Sequence, residues 1–301
     1  IGSLVLENQL ILAPMFKVTD PAFRLLCRDH GAALAYCEMT NAEAILRNPR
    51  VVAQAIRHHP RETPFGIQLA AKSPESLAKA ISILEPHTDT FDLNLGCPAK
   101  RTINSGVGSA LLTTPDQIIV LVSAMRNATT KPITVKIRLP DDKRLSLGVA
   151  KAIEAAGADA LTVHARTVTQ GRSGPVDTDI VAQIKDALAI PVINNGGVYD
   201  AQSFKDILSK TGCDGVMLAR SAIGNPGIFA ELSGGGPMDR VVALRQYLAY
   251  CHETGFLHAG RIKTNALHFL EHAPAEVKRM VQKIRTITEL ETTIRDLPEG
   301  I

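Results

Sequence analysis

A cysteine followed by a proline and then by cations is placed to do proton chemistry. In the stretch DLNLGCPAKRTINSGVGSALL, Asp92 to Leu112, Cys97 leaves an apolar run and enters a basic, glycine-punctuated loop that carries Pro98, Lys100, Arg101 and Asn104. A cysteine wanted for packing sits among apolar neighbours, whereas Cys97 is presented. A free thiol, with a pKa of about 8.5, is mostly protonated at neutral pH and is a competent general acid. As a thiolate it would be a nucleophile, encouraged by Lys100 and Arg101, because nearby cations favour the ionised form. No histidine or other base stands beside it in sequence to activate it, which favours the acid. A cysteine that merely fills a turn is the third reading.

The elements that must position this loop are legible as eight apolar runs: LILA (10–13), LAYCEM (34–39), FGIQL (65–69), FDLNL (91–95), ITVKI (133–137), ALTVH (160–164), PVINN (191–195) and GVMLA (215–219). Between them lie segments such as SPESLAKAISIL and PDQIIVLVSAMRNA, where apolar residues return every three or four positions, as on a helix. Two returns from helix to strand use nearly the same words, AAGADALTV (155–163) and KTGCDGVML (210–218). Each has a glycine that ends the helix and an Asp before a strand apolar on both faces. Strand and helix alternating eight times predict a (β/α)8 TIM barrel, with a doubly wound open sheet as the alternative.

On that reading Gln68, Asn94, Lys136, His164, Asn195 and Arg220 lie at or just beyond the C-terminal ends of six strands, the catalytic face of a barrel. Singly, each is more simply a polar residue bonding a loop; six at one address make a site. The set contains no carboxylate pair, metal cluster or nucleophile elbow. Its amide, amine, imidazole and guanidinium groups are mostly donors, which suits a flat, electron-rich, phosphorylated cofactor. NNGGV (194–198) and ARSAIGNPGIF (219–229) follow the seventh and eighth runs, where barrels bind phosphate on glycine amides and a short helix N-terminus. Arg220 adds a bidentate donor there. Lys136 has an alternative as the Schiff-base lysine of an aldolase, which explains neither Cys97 nor the basic residues after 238; as a fixed cation it would stabilise negative charge developing beside it.

After Phe229 the strand signal stops. Residues 1–232 read as the catalytic barrel, 233–237 as a linker within ELSGGGPMD, and 238–301 as a helical domain of three patterns. That tail is basic, with Arg261, Lys263, Lys278, Arg279, Lys283 and Arg285. The whole chain is nearly balanced, 33 basic against 30 acidic residues, so nucleic-acid affinity has to come from local patches. The five cysteines are scattered and odd in number, against a disulfide framework or a zinc site. With no apolar run of about 18 residues and no basic leader, the chain reads as cytoplasmic and not membrane-bound.

APMFKVTDPAFRLLC, PFGIQLA, DLNLGCPAK with GVGSALL, PITVKIR, LTVHART, PVINNGGV and DGVMLARSAIGNPGIF follow in order the motif series of the tRNA-dihydrouridine synthases, which the chain resembles over the barrel and more loosely in the tail. The resemblance implies a TIM barrel holding FMN, reduced by NADPH, that reduces a uridine in tRNA, in the D-loop region, to 5,6-dihydrouridine. It implies that Pro14, Met15 and Phe16 line the flavin, that Gln68 and Lys136 bond its rings with His164 close by, and that Asn195, Gly196, Gly197, Ala219 and Arg220 hold its phosphate. It makes Cys97 the catalytic cysteine, giving a proton to carbon 5 while hydride reaches carbon 6, with Lys136 and His164 completing the catalytic set. The chain departs from the pattern at HART, where Ala165 replaces a usual glycine, at NGG, where Gly197 replaces a usual aspartate, and at LPDDKR, where Gly-Trp-Asp is common.

A uridine in folded tRNA has to leave its stack before a buried flavin can reach it, which calls for a basic surface around a narrow pocket. Asn94, Lys100, Arg101, Arg138 and Arg166 are expected around that pocket, with Arg261 and Lys263 gripping phosphates from the tail. Two other functions fit the same residues in part: an FMN barrel acting on a free pyrimidine or other small molecule, like dihydroorotate dehydrogenase, and a non-catalytic tRNA-binding relative. The basic tail argues against the first and the retained Cys97 and Lys136 against the second.

Overall fold

All eight apolar runs become strands, and helices separate them in the order the periodicity requires. The computed structural model describes residues 1–301. Its first half runs β1 (Leu10–Leu12), α1 (Pro21–Asp29), β2 (Leu34–Tyr36), β3 (Thr40–Asn41), α2 (Ala42–Arg47), α3 (Pro49–Ala55), β4 (Phe65–Ala70), α4 (Pro74–Leu84), β5 (Thr90–Leu95), α5 (Lys100–Asn104) and α6 (Pro115–Ala128). It continues through β6 (Ile133–Leu139), α7 (Ser146–Ala155), β7 (Ala160–Thr167), α8 (Thr178–Ala187), β8 (Val192–Asn195), α9 (Ala201–Thr211), β9 (Gly215–Leu218) and α10 (Ile228–Leu232). The tail holds α11 (Arg240–Glu253), α12 (Ala259–Phe269), α13 (Ala275–Lys283) and α14 (Ile287–Arg295).

Every strand pair is parallel, in the order β2-β1-β9-β8-β7-β6-β5-β4-β3, and β2 also pairs with β4, Ala35 opposite Phe65 and Tyr36 opposite Gly66. That pairing closes eight strands into a TIM barrel and excludes the open sheet. β3 is a short ninth strand against the end of β4, with Thr40 opposite Leu69. The run 34–39, expected as one strand, is therefore interrupted: Cys37 N–H still bonds the Gly66 carbonyl at 2.9 Å, and residues 38–39 leave the ladder.

Side chains two apart on a strand share a face. Ile11, Leu34, Tyr36, Ile193 and Met217 fill the lower barrel with apolar volume. Tyr36 is buried and reaches across to the Thr134 hydroxyl at 3.1 Å. A β-carbon on Gly66 would stand 2.3 Å from its ring, so only glycine leaves room for it. Three aspartates, each the residue just before a strand, accept the first amide of the neighbouring strand: Asp89 from Phe65 at 2.7 Å, Asp159 from Ile133 at 2.8 Å and Asp214 from Val192 at 2.8 Å. The Asp seen in both repeated helix-to-strand phrases thus ties the lower rim, where a strand's leading N–H would otherwise lack a partner.

The tail is packed on the barrel through one continuous apolar cluster that includes Phe23 of α1, Tyr247 of α11 and Phe269 of α12. Asp20, the N-cap of α1, accepts from Tyr247 Oη at 2.9 Å and Asn265 Nδ2 at 2.8 Å where tail meets barrel. Burial pushes the Asp20 carboxyl up to about 6, against the pull of its hydrogen bonds from Phe23 and Tyr247. The last of the three expected tail helices is two. α13 ends at Lys283, and Thr286 starts α14 with a capping box closed by Glu289, whose carboxylate takes the Thr286 amide.

Candidate active site

Above the apolar plug the barrel interior becomes polar, because β5 to β8 alternate Asp92/Asn94, Thr134/Lys136/Arg138, Thr162/His164/Arg166 and Asn195 toward the same side, as their pairings show. Lys136 Nζ donates to Asn195 Oδ1 at 3.0 Å, and Asn195 Nδ2 donates to the Met217 carbonyl at 2.7 Å. Burial draws Lys136 down to about 8, with Asp92 pulling the other way. His164 is pushed down to about 2, first by burial and then by Lys136, Arg138, Arg166 and Arg220 around it. The imidazole is therefore neutral, a hydrogen-bonding group and not a charged acid.

Those four cations form no ion pair with any carboxylate within 4.0 Å. Arg138 and Arg166 are buried and Lys136 is half-buried, while Arg220 stands exposed at the edge of the cleft. Clustered cations drawn away from water are unfavourable unless an anion joins them. The backbone is shaped for one: Gly196 and Gly197 have φ of +100° and +83°, and a β-carbon on Gly196 would stand 3.0 Å from Arg166 Nη1. His164, Arg166, Asn195, Gly196, Gly197, Ala219 and Arg220 line one cleft. The donor set and the glycine cradle fit a phosphate.

Two arginines lie elsewhere than their sequence positions lead one to expect. Arg138 and Arg166 do not rim the mouth; they are 6% and 4% exposed. Strands β6 and β7 run two and three residues beyond their apolar runs, which carries both arginines inside. Arg138 donates to the carbonyls of Gly96 at 3.0 Å and Gly171 at 2.6 Å, bracing the cysteine loop from below. Arg166 donates to the Gly174 carbonyl at 2.9 Å and faces the cleft of Gly196 and Gly197.

The cysteine loop is held on three sides. Asn94 Oδ1 accepts from the amides of Gly96 at 3.2 Å and Cys97 at 2.9 Å, while the Cys97 carbonyl accepts from Ser109 Oγ at 2.9 Å. The thiol donates to the Thr102 hydroxyl at 3.3 Å and is half-buried, whereas Cys27, Cys37, Cys213 and Cys251 are buried. Its partner is thus a neutral hydroxyl and not a base. Lys100 and Arg101 are exposed on α5, and Arg101 reaches a cavity of about 830 Å³ between the barrel mouth and the tail.

That cavity also contains Phe16, 78% exposed on the loop after β1, so its ring stands in the groove beyond Pro14 and Met15. Lys17 follows with φ of +64°, and its amide donates to Glu38 Oε2 at 3.0 Å. Glu38 also pairs with Arg261, whose guanidinium lies 5.1 Å from the centre of the Phe256 ring. Lys263 donates to the carbonyls of Gln282 at 3.2 Å and Ile284 at 3.0 Å, closing the end of α13. Both tail residues expected to grip phosphates are engaged within the chain. Asp92, Thr102 and Glu38 were not singled out from sequence. Asp92 had a signal, since it stands two residues before Asn94 on the same strand face.

A parallel eight-stranded barrel with a cationic, glycine-lined cleft and a cysteine loop at its mouth defines a TIM-barrel protein whose site is suited to an anion. The model of the dihydrouridine synthase family matches residues 11–296, and the chain belongs to that family. It is similar to tRNA-dihydrouridine synthase B of Xanthomonas campestris, 39% identical over 236 residues, covering 77% of this chain and 71% of that protein. The protein of the same name from Pasteurella multocida is 35% identical over 245 residues, 80% of this chain and 74% of its own. That of Pseudomonas aeruginosa is 37% identical over 235 residues, 77% and 71%. Among solved structures, FabK from Thermotoga maritima overlaps 73% of this chain and 60% of that one at a TM-score of 0.48 and 16% identity.

Proposed function

We propose that this protein reduces a uridine of tRNA to 5,6-dihydrouridine, with FMN as bound cofactor and NADPH as reductant. The observation that carries the reading is a half-buried thiol without a base, held at the mouth of a barrel where Lys136, Arg138, Arg166 and Arg220 gather around His164 with no carboxylate in ion-pair contact. Names of the similar proteins and family membership support the same reaction. Arg166, Arg220 and the Gly196–Gly197 turn would hold the phosphate of FMN, and Lys136, Gln68 and neutral His164 would face its rings, with Pro14, Met15 and Ala219 beside it. FMN, when bound, supplies hydride to carbon 6 of the uracil.

The chain's own work is to hold and to protonate. Asn195 fixes Lys136, so that its charge sits where negative charge grows. Thr102 and Asn94 fix Cys97, which gives its proton to carbon 5. A positioned general acid is worth about 100- to 10,000-fold. Lys100 and Arg101 meet RNA phosphates near the opening, and the groove between barrel and tail takes the extruded nucleotide. Residues 1–232 then perform the chemistry, and 238–301 orient the tRNA, with its D-loop region at the mouth.

Because Arg261 and Lys263 are engaged internally, the tail argues less strongly against a small substrate than its composition suggested. The test is therefore run with both. Purified protein, FMN and NADPH are incubated with unmodified tRNA transcript or with free uridine and orotate, and the nucleosides are analysed by mass spectrometry. Uridine in tRNA gaining two hydrogens is the expected result; reduction of the free pyrimidines alone would transfer the assignment to a small-molecule oxidoreductase.

A further inference from the structure

A buried carboxylate is joined to the cysteine loop by an unbroken line of hydrogen bonds. Asp92 is 1% exposed; its Oδ1 accepts from Thr134 Oγ1 at 2.6 Å and its Oδ2 from Gln68 Nε2 at 2.7 Å. Gln68 Oε1 then accepts from Asn94 Nδ2 at 2.9 Å, and Asn94 Oδ1 accepts from the Cys97 amide at 2.9 Å. Strand register builds the line, with Gln68 opposite Asp92 and Asp92 opposite Thr134. Burial raises the Asp92 carboxyl to about 6, while Thr134, Gln68 and Lys136 pull it down, so at neutral pH it is ionised.

The order of donors along the line follows from its first member. An ionised carboxylate only accepts, so Gln68 has to turn its NH₂ toward Asp92 and its oxygen toward Asn94. Asn94 then has to turn its NH₂ toward Gln68 and its oxygen toward the loop. A reversed Asn94 would set NH₂ against the N–H groups of Gly96 and Cys97, leaving donors facing one another without an acceptor, which is unfavourable. We propose that Asp92 is a positioning residue for the reaction: by setting the direction of the Gln68 and Asn94 amides it fixes the backbone at Cys97 and therefore the place of the thiol. Asp92 is sealed from solvent and acts through two amides; Asp92→Asn keeps the needed acceptor, because the new amide oxygen can accept from Gln68 while its NH₂ donates to Thr134.

The inference rests on the reading of Cys97 as the proton donor, but its first readout does not. Cys97 is the one cysteine that is not buried, so alkylation of the native protein by iodoacetamide reports on its loop. Folded, flavin-loaded Asp92→Asn and Asp92→Leu are compared with the parent for that alkylation rate and for the rate at which reduced flavin is reoxidised by tRNA. Asp92→Leu should change Cys97 alkylation by about threefold or more, because thiol reactivity follows its surroundings. It should slow the uridine step about 10- to 100-fold, the effect of a reacting group misplaced by a fraction of an ångström to one ångström. Asp92→Asn should stay near the parent in both. If Asp92→Leu does not fold, Asp92→Ser, too short to reach Gln68, is judged by the same two rates. Parental values in the Leu or Ser variant would overturn the proposal, as would equal losses in Asp92→Asn, which would show that charge and not direction is needed. If the parent itself fails to reduce tRNA, the alkylation comparison still decides the role of Asp92.

Discussion

Lys136 on β6 and Asn195 on β8 are bonded at 3.0 Å across the strand that carries His164. Asn195 is itself tied to β9 through the Met217 carbonyl, so three strands cooperate to hold one ammonium group still. A cation fixed in this way needs no rearrangement when negative charge appears beside it, and this is the feature that makes the barrel interior suited to a flavin.

The phosphate end of that site is tested by Arg166→Ala and Arg220→Ala. A hydrogen bond to a charged group is worth about 1.5–3 kcal/mol, so each variant should bind FMN about 10- to 100-fold more weakly. Fluorescence titration of flavin-stripped protein measures this directly. Parental affinity in both would move the phosphate elsewhere.

The ring end carries a pH signature. Burial lowers Lys136 to about 8, so its charge is present below that value and lost above it. An anionic ligand favours the charged form, and FMN affinity should therefore fall several-fold as the pH rises from one unit below to one unit above. Lys136→Met should bind more weakly and lose most of this slope. A parent titration curve that is flat over the same range would show that Lys136 does not face the ligand.

Lys100 and Arg101 stand exposed beside the cysteine. Their double alanine variant should raise the KM for tRNA and reduce the slope of log affinity against log salt by about one for each phosphate no longer neutralised. Flavin content should not change. Identical salt dependence in parent and variant would place the RNA on another face.

The parallel strand-and-helix architecture was legible because eight apolar runs alternate with helical periods, which puts six polar strand-end residues at one end of the sheet; its closure rests on the pairing of β2 with β4, which no local pattern announces. Strand ends were harder to read. The inward faces of β6 and β7 stay polar at their upper ends, so Arg138 and Arg166 look like loop residues in sequence although they are buried in strands. The pairing of Arg261 with Glu38 joins residues 223 apart, and no local pattern announces it. The split of α13 from α14 had a signal in Thr286 and Glu289, a capping box inside what looked like one helical period.

The tail makes a further prediction, since its core is continuous with that of the barrel. Tyr247→Phe removes one donor from buried Asp20 and should lower stability by about 1–3 kcal/mol. Urea unfolding followed by circular dichroism and by fluorescence of bound flavin should show coincident transitions. A separate early transition in the parent would mean that residues 238–301 unfold on their own.

A proton donor that takes no part in loading the flavin with electrons leaves one half-reaction untouched when Cys97 is removed. Stopped-flow absorbance of Cys97→Ala separates the two half-reactions. Flavin reduction by NADPH should match the parent, and reoxidation by tRNA should slow about 100- to 10,000-fold, the range of a lost general acid. Parental reoxidation, or an equal loss in both half-reactions, would show that Cys97 is not the proton donor.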